Sequence, residues 1–80
     1  MNDKATYEDI FKKSLNISDD KLSDGLKYNE IEEWDSIGHM SLVSALEEEY
    51  KISFETDDII DFSSFKKGIE ILKKYQIEIR

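Results

Sequence analysis

Asp35 and Ser36 stand side by side, and His39, the one histidine of the chain, follows the serine by three positions. Positions three apart share a helix face, so the trio raises the question of a serine nucleophile served by an imidazole base. Its order argues against that chemistry. Adjacent Asp and Ser at a helix start do not place the carboxylate behind the imidazole, and no Gly-x-Ser-x-Gly elbow surrounds Ser36. His39 falls toward Leu42 and Val43 on the apolar side of the helix, where a partly buried spacer is expected. From its neighbours alone, Ser36 reads either as an ordinary first-turn serine of no chemical importance or as a point where a group is attached. At a helix start, free amides and the macrodipole favour an attached phosphate, although the charge of Asp35 offsets part of the gain.

No cysteine is present among the 80 residues, so neither a disulfide framework, a thiolate metal site nor a side-chain thiol is available. The formal charge of −8 is concentrated. Residues 28–61 hold eleven acids against Lys51 alone, while the remainder holds ten basic and eight acidic side chains. Such a segment repels phosphate backbones, which excludes nucleic acid and favours partners with basic surfaces. Without an attached group, the same surface describes an acidic protein-interaction module. Divalent cations near Glu30, Asp35, Glu47 or residues 57–61 could relieve the repulsion, although no metal site is expected. No apolar run approaches the ~20 residues of a membrane span. Met1-Asn2-Asp3-Lys4 lacks the hydrophobic stretch of a signal peptide, so the expectation is a cytoplasmic monomer without a membrane role.

The elements that position Ser36 read as helices. Absence of proline and helical periodicity predict an all-α fold, a small four-helix bundle with a long first loop and a short third helix, as one domain over 1–80. The first helix is expected from Asp3 to Leu15, with Ile10, Phe11 and Leu15 on one face and Asn16 and Ser18 as punctuation. The irregular stretch from Ser18 to Asp35 is held down through Leu22, Leu26, Ile31 and Trp34. Asp35 caps a second helix running from Ser36 to Tyr50. A short third helix follows from Thr56, read as its cap, to Asp61. Ser63 or Ser64 caps a last helix to Tyr75 whose buried stripe is Phe65, Ile69, Leu72 and Tyr75, weakened at Gly68 by up to ~1 kcal/mol relative to Ala. Ile77 and Ile79 lie in a tail without a predicted place.

The second helix has two apolar sectors. At ~100° per residue, Leu42, Val43, Leu46 and Tyr50 form the core stripe, whereas Ile37, Met40, Ser44, Glu47 and Glu48 occupy another sector. Apolar side chains beside carboxylates suit a docking face, with the acids steering and Ile37 and Met40 giving contact area. Alternatively, Ile37 and Met40 fold back onto the long loop.

Trp34-Asp35-Ser36-Ile37-Gly38-His39-Met40, continued by Leu42-Val43-Ser44-Ala45-Leu46-Glu47-Glu48-Glu49-Tyr50 and Ile52-Ser53-Phe54, resembles the acyl carrier protein family. The family's Asp-Ser-Leu signature opens a helix that ends in acids and an aromatic; Ile37 stands here for the Leu. The resemblance implies that Ser36 carries 4′-phosphopantetheine, donated by coenzyme A through a phosphopantetheinyl transferase. Asp35 assists that step, and magnesium is needed only there. It implies a carrier rather than an enzyme, one that holds acyl groups as thioesters for fatty acid, polyketide or other secondary metabolism. A peptidyl or aminoacyl carrier would use the same arm. The docking acids implied for acyl-transferring or acyl-modifying enzymes with basic patches are Glu47, Glu48, Asp57, Asp58 and Asp61, beside Ile37 and Met40. Carriers of general fatty acid synthesis commonly have acids where this chain has Gly38 and Ser41, so the likeness points to discrete carriers of specialised pathways. His39 would then border the path of an acyl chain.

Overall fold

In a computed structural model, which describes residues 3–79, the chain forms four α-helices: α1, Lys4–Leu15; α2, Ser36–Tyr50; α3, Thr56–Asp61; and α4, Phe65–Lys74. A single 3-10 turn lies at Asp19–Lys21 in the long connection between α1 and α2. No strand occurs among the described residues; one isolated bridge joins Lys27 to Ser64. The Cα radius of gyration is 11.3 Å, against roughly 11.6 Å expected of a compact 80-residue domain.

Capping explains most helix boundaries. Asp3 accepts from the Thr6 amide at 2.9 Å, Asp35 from Gly38 at 2.8 Å and Ser64 from Lys67 at 3.0 Å, each satisfying an amide the helix leaves without a partner. Thr56 does not cap α3. The chain turns one residue earlier, where the Glu55 carbonyl receives the Asp58 and Ile59 amides at 2.9 and 3.1 Å, so Thr56 is already helical. At their C-termini, α1, α2 and α4 share one device. Asn16, Lys51 and Gln76 adopt φ of 57°, 55° and 66°, and the following isoleucine amide returns to a carbonyl five residues back at 3.0 to 3.1 Å. Ile17 and Ile77 are buried and Ile52 half-buried, so an apolar anchor holds each left-handed residue in place.

An aromatic cluster forms the core. The Phe11 ring lies 5.0 Å from Tyr7, 5.0 Å from Phe65, 5.3 Å from Trp34 and 6.1 Å from Phe62. Leu42, Val43 and Leu46 are buried from α2, while Tyr50 is half-buried, its hydroxyl enclosed without a hydrogen-bond partner. The buried stripe of α4 is Phe65, Gly68, Ile71 and Leu72, a correction to the expected one. Ile69 and Tyr75 are only half-buried, packed against the margin of the core, and Ile77 of the tail is buried within it. Gly68 has a packing role: a Cβ there would collide with the Tyr7 hydroxyl and sit 2.7 Å from Phe62 Cε1. Tyr7 donates to the Phe65 carbonyl at 2.7 Å, and burial pushes its phenol far up.

The long connection is tied down rather than loose. Leu26 and Trp34 are buried, with Leu22 and Ile31 packed partly against the core. The Leu26 carbonyl accepts from Phe65 at 2.8 Å, Tyr28 donates its amide to the Ser63 carbonyl at 2.9 Å, and Asn29 donates to Trp34 at 2.9 Å. These bonds hold the loop against the start of α4 and bring its end to the first turn of α2.

Candidate functional site around Ser36

Ser36 is the first residue of α2 and is exposed. Its Oγ lies 3.2 Å from the Tyr28 hydroxyl, a contact from the long loop that nothing in the local sequence announces. Asp35 is exposed beside it, with one carboxylate oxygen engaged by the Gly38 amide. Gly38 is required by close packing. A Cβ at this position would overlap the Glu33 carbonyl and approach Leu15 Cδ2 to 3.1 Å, so this turn of α2 has no room for a side chain.

His39 is bonded to groups other than Ser36. Its Nδ1 accepts from the Trp34 indole at 3.0 Å, which leaves the ring proton on Nε2, 2.9 Å from the Ile59 carbonyl. The imidazole is stacked on Trp34 with ring centroids 6.2 Å apart and edge-on to Phe62 at 5.7 Å. Nδ1 ties α2 to the long connection and Nε2 ties it to α3, which leaves neither nitrogen as a base for Ser36. The histidine is a structural bridge.

Ile37 and Met40 do not fold back onto the loop: they are 79% and 51% exposed. With Ser36, Ser41, Ser44 and Glu48 they line a shallow, open groove along α2. Ser44 is exposed on this groove, whereas Ala45 is half-buried and also lines an open cleft between α1 and α2 with Thr6, Asp9, Ile10 and Lys13.

The acids expected to dock partners separate into two groups. Glu48 and Asp57 are exposed, as is Asp61, which lies 3.7 Å from Lys67. Glu47 is half-buried and accepts from the Phe54 amide at 2.8 Å, thereby holding the α2–α3 connection. Asp58 is 5% exposed and bonded at 2.6 Å to both Lys74 Nζ and the Tyr75 hydroxyl. Those two bonds hold its carboxyl below the usual value, Lys74 contributing most and Tyr75 next. Glu47 and Asp58 therefore act within the fold. An apolar residue that the sequence reading did not single out, Ile60 of α3, is 76% exposed. Its lack of a core position inside a six-residue acidic helix was the available sign.

Among the described residues, no group of three or more His, Cys, Asp or Glu side chains could hold a metal ion, and no helix is long and apolar enough to cross a membrane. No protein-family model matches the chain, and no curated protein is significantly similar to it.

Proposed function

We propose that this chain is an acyl carrier, a small four-helix bundle that bears phosphopantetheine on Ser36 and presents acyl groups to partner enzymes. The observation supporting this most strongly is the exposed Ser36 at the first position of α2, facing no internal base and opening onto the Ile37–Met40 groove. A serine to be modified by another protein must offer its hydroxyl outward, and Ser36 does. The surroundings fit the arm. The exposed Oγ is the point of attachment, Ser41 and Ser44 leave room along the groove, and Ile37 and Met40 offer apolar contact. When bound, the arm supplies a terminal thiol that carries the acyl group as a thioester.

The chain's residues then have separate tasks. Asp35 caps α2 so that Ser36 stays at its tip, and it assists the transferase at the magnesium-dependent loading step. Glu48, Asp57 and Asp61 steer basic partner surfaces toward the site, and Ile37, Met40 and Ile60 provide contact area. The protein is read as a cytoplasmic monomer that is a substrate of enzymes rather than one itself.

Incubation with coenzyme A, magnesium and a broad-specificity phosphopantetheinyl transferase tests this. Mass spectrometry should show one phosphopantetheine added to the wild type and none to Ser36→Ala. Glu48→Gln should raise the KM for loading by about fivefold, in keeping with one lost charge contact. A wild type without mass gain, or a Ser36→Ala chain loaded equally, refutes the carrier reading. Mass spectrometry of protein from its native host would distinguish acyl from aminoacyl cargo.

A further inference from the structure

We propose that Tyr28 is a positioning residue for Ser36, orienting its hydroxyl before loading and holding the base of the arm afterwards; this rests on the carrier reading above. The two oxygens are 3.2 Å apart, and either hydroxyl is able to donate. Tyr28 reaches Ser36 from the long connection, where backbone bonds and ring contacts hold it. Its amide is bonded to the Ser63 carbonyl at 2.9 Å, and the neighbouring Lys27 amide donates to Glu30 at 3.1 Å. Its ring stands edge-on to Trp34 and His39, with centroids 6.2 and 5.3 Å away. Those two rings are themselves locked together by the indole–imidazole bond. A serine in the exposed first turn otherwise samples several staggered rotamers, and one hydrogen bond to a fixed phenol selects among them.

The chemistry of loading keeps this contact in use. Ser36 Oγ forms a bond to the coenzyme A phosphorus that bears pantetheine. The bond from that phosphorus to the pyrophosphate bridging oxygen breaks, adenosine bisphosphate leaves with the electron pair, and the serine proton passes to a base of the transferase. Esterified Oγ has no hydrogen left to give, so Tyr28 becomes the donor. The charged phosphodiester oxygens beside it are stronger acceptors than the original hydroxyl. One phenol thus serves both states, and the group it holds in the second is a phosphodiester.

Tyr28→Phe removes one oxygen and keeps the ring contacts. Loaded by the same transferase, it should show a kcat about fivefold lower, the worth of a single hydrogen bond, with KM for the carrier unchanged. The phosphorus NMR resonance of its attached phosphodiester should differ from that of the wild type. Equal kcat and coincident resonances overturn the proposal and leave the carrier reading intact, whereas a wild type that accepts no arm overturns both. Should Tyr28→Phe not fold, the wild type labelled with 3-fluorotyrosine decides. On loading, the fluorine signal of Tyr28 should move while those of Tyr7, Tyr50 and Tyr75 stay, and a stationary Tyr28 signal overturns the proposal.

Discussion

Asp58 and Glu47 illustrate how one type of side chain divides between surface and interior. Both belong to the acidic segment 28–61 and are expected to dock partners, yet Asp58 is buried and joins α3 to Lys74 and Tyr75 at the end of α4. The folded carboxyl titrates below its ordinary value of 3.8, chiefly through Lys74 and then Tyr75. The unfolded chain therefore binds more protons as the pH falls. Stability from Asp58 is fully present above the ordinary value and disappears as the pH drops through the lower, folded one. Asp58→Ala should lower unfolding stability at neutral pH by about 2 kcal/mol, the scale of a buried charge-assisted hydrogen bond. In denaturant titrations, the gap between variant and wild type should be constant above about pH 5 and narrow as the pH falls below 3.8. A gap independent of pH would refute the ion-pair account.

Within the helices, close approach outweighs intrinsic propensity. Gly68 costs α4 up to ~1 kcal/mol of helix propensity relative to Ala, so propensity alone makes Gly68→Ala stabilising. The Cβ, however, would meet the Tyr7 hydroxyl and the Phe62 ring, both fully buried and unable to retreat into solvent. Overpacking of this kind costs about 1–3 kcal/mol and wins. Thermal unfolding of Gly68→Ala should show a net loss of roughly 1–2 kcal/mol, and a raised melting temperature would show that the interior yields more readily than its geometry indicates. Gly38 obeys the same rule beneath the Glu33 carbonyl, which ties the irregular loop closely to the helix that presents Ser36.

Across the molecule, the acids of residues 28–61 have little internal neutralisation. Among the described residues, ion pairs reach only Glu33, Asp58 and Asp61 of the eleven. The longest dimension is 29 Å, about one Debye length at 0.01 M salt and about ten at 1 M. Self-repulsion therefore spans the fold at low ionic strength and is screened at high. Sodium chloride should raise the melting temperature by several degrees between these limits. Because no group of three acids among the described residues is arranged to hold an ion, magnesium at equal ionic strength should do no more. A melting temperature indifferent to salt would remove self-repulsion as a factor, and a larger effect of magnesium would reveal specific binding.

Periodicity and capping chemistry were enough to locate the helices. Asp35 and Ser64 cap where their side-chain oxygens can reach an amide three residues on, an interaction local in sequence. The exposed start of α2 at Ser36 and the buried Leu42, Val43 and Leu46 also follow from local order and helical spacing. Contacts distant in sequence were not legible there. The expected α4 stripe omitted Ile71 and Gly68 because neighbours distant in sequence, such as Tyr7 of α1 against Gly68, decide which of its sides is enclosed. Asp58 could not be told from Asp57 until Lys74 and Tyr75, sixteen and seventeen residues away, were brought to it. Tyr28 likewise meets Ser36 only because the Ser63 and Phe65 backbone holds the long loop in place. The sequence alone determined which segments are helical and which serine stands at a helix tip, since those depend on neighbours within a few residues. Tertiary packing decided which acids remain on the surface and what touches the serine, since burial and hydrogen-bond partners depend on the whole chain.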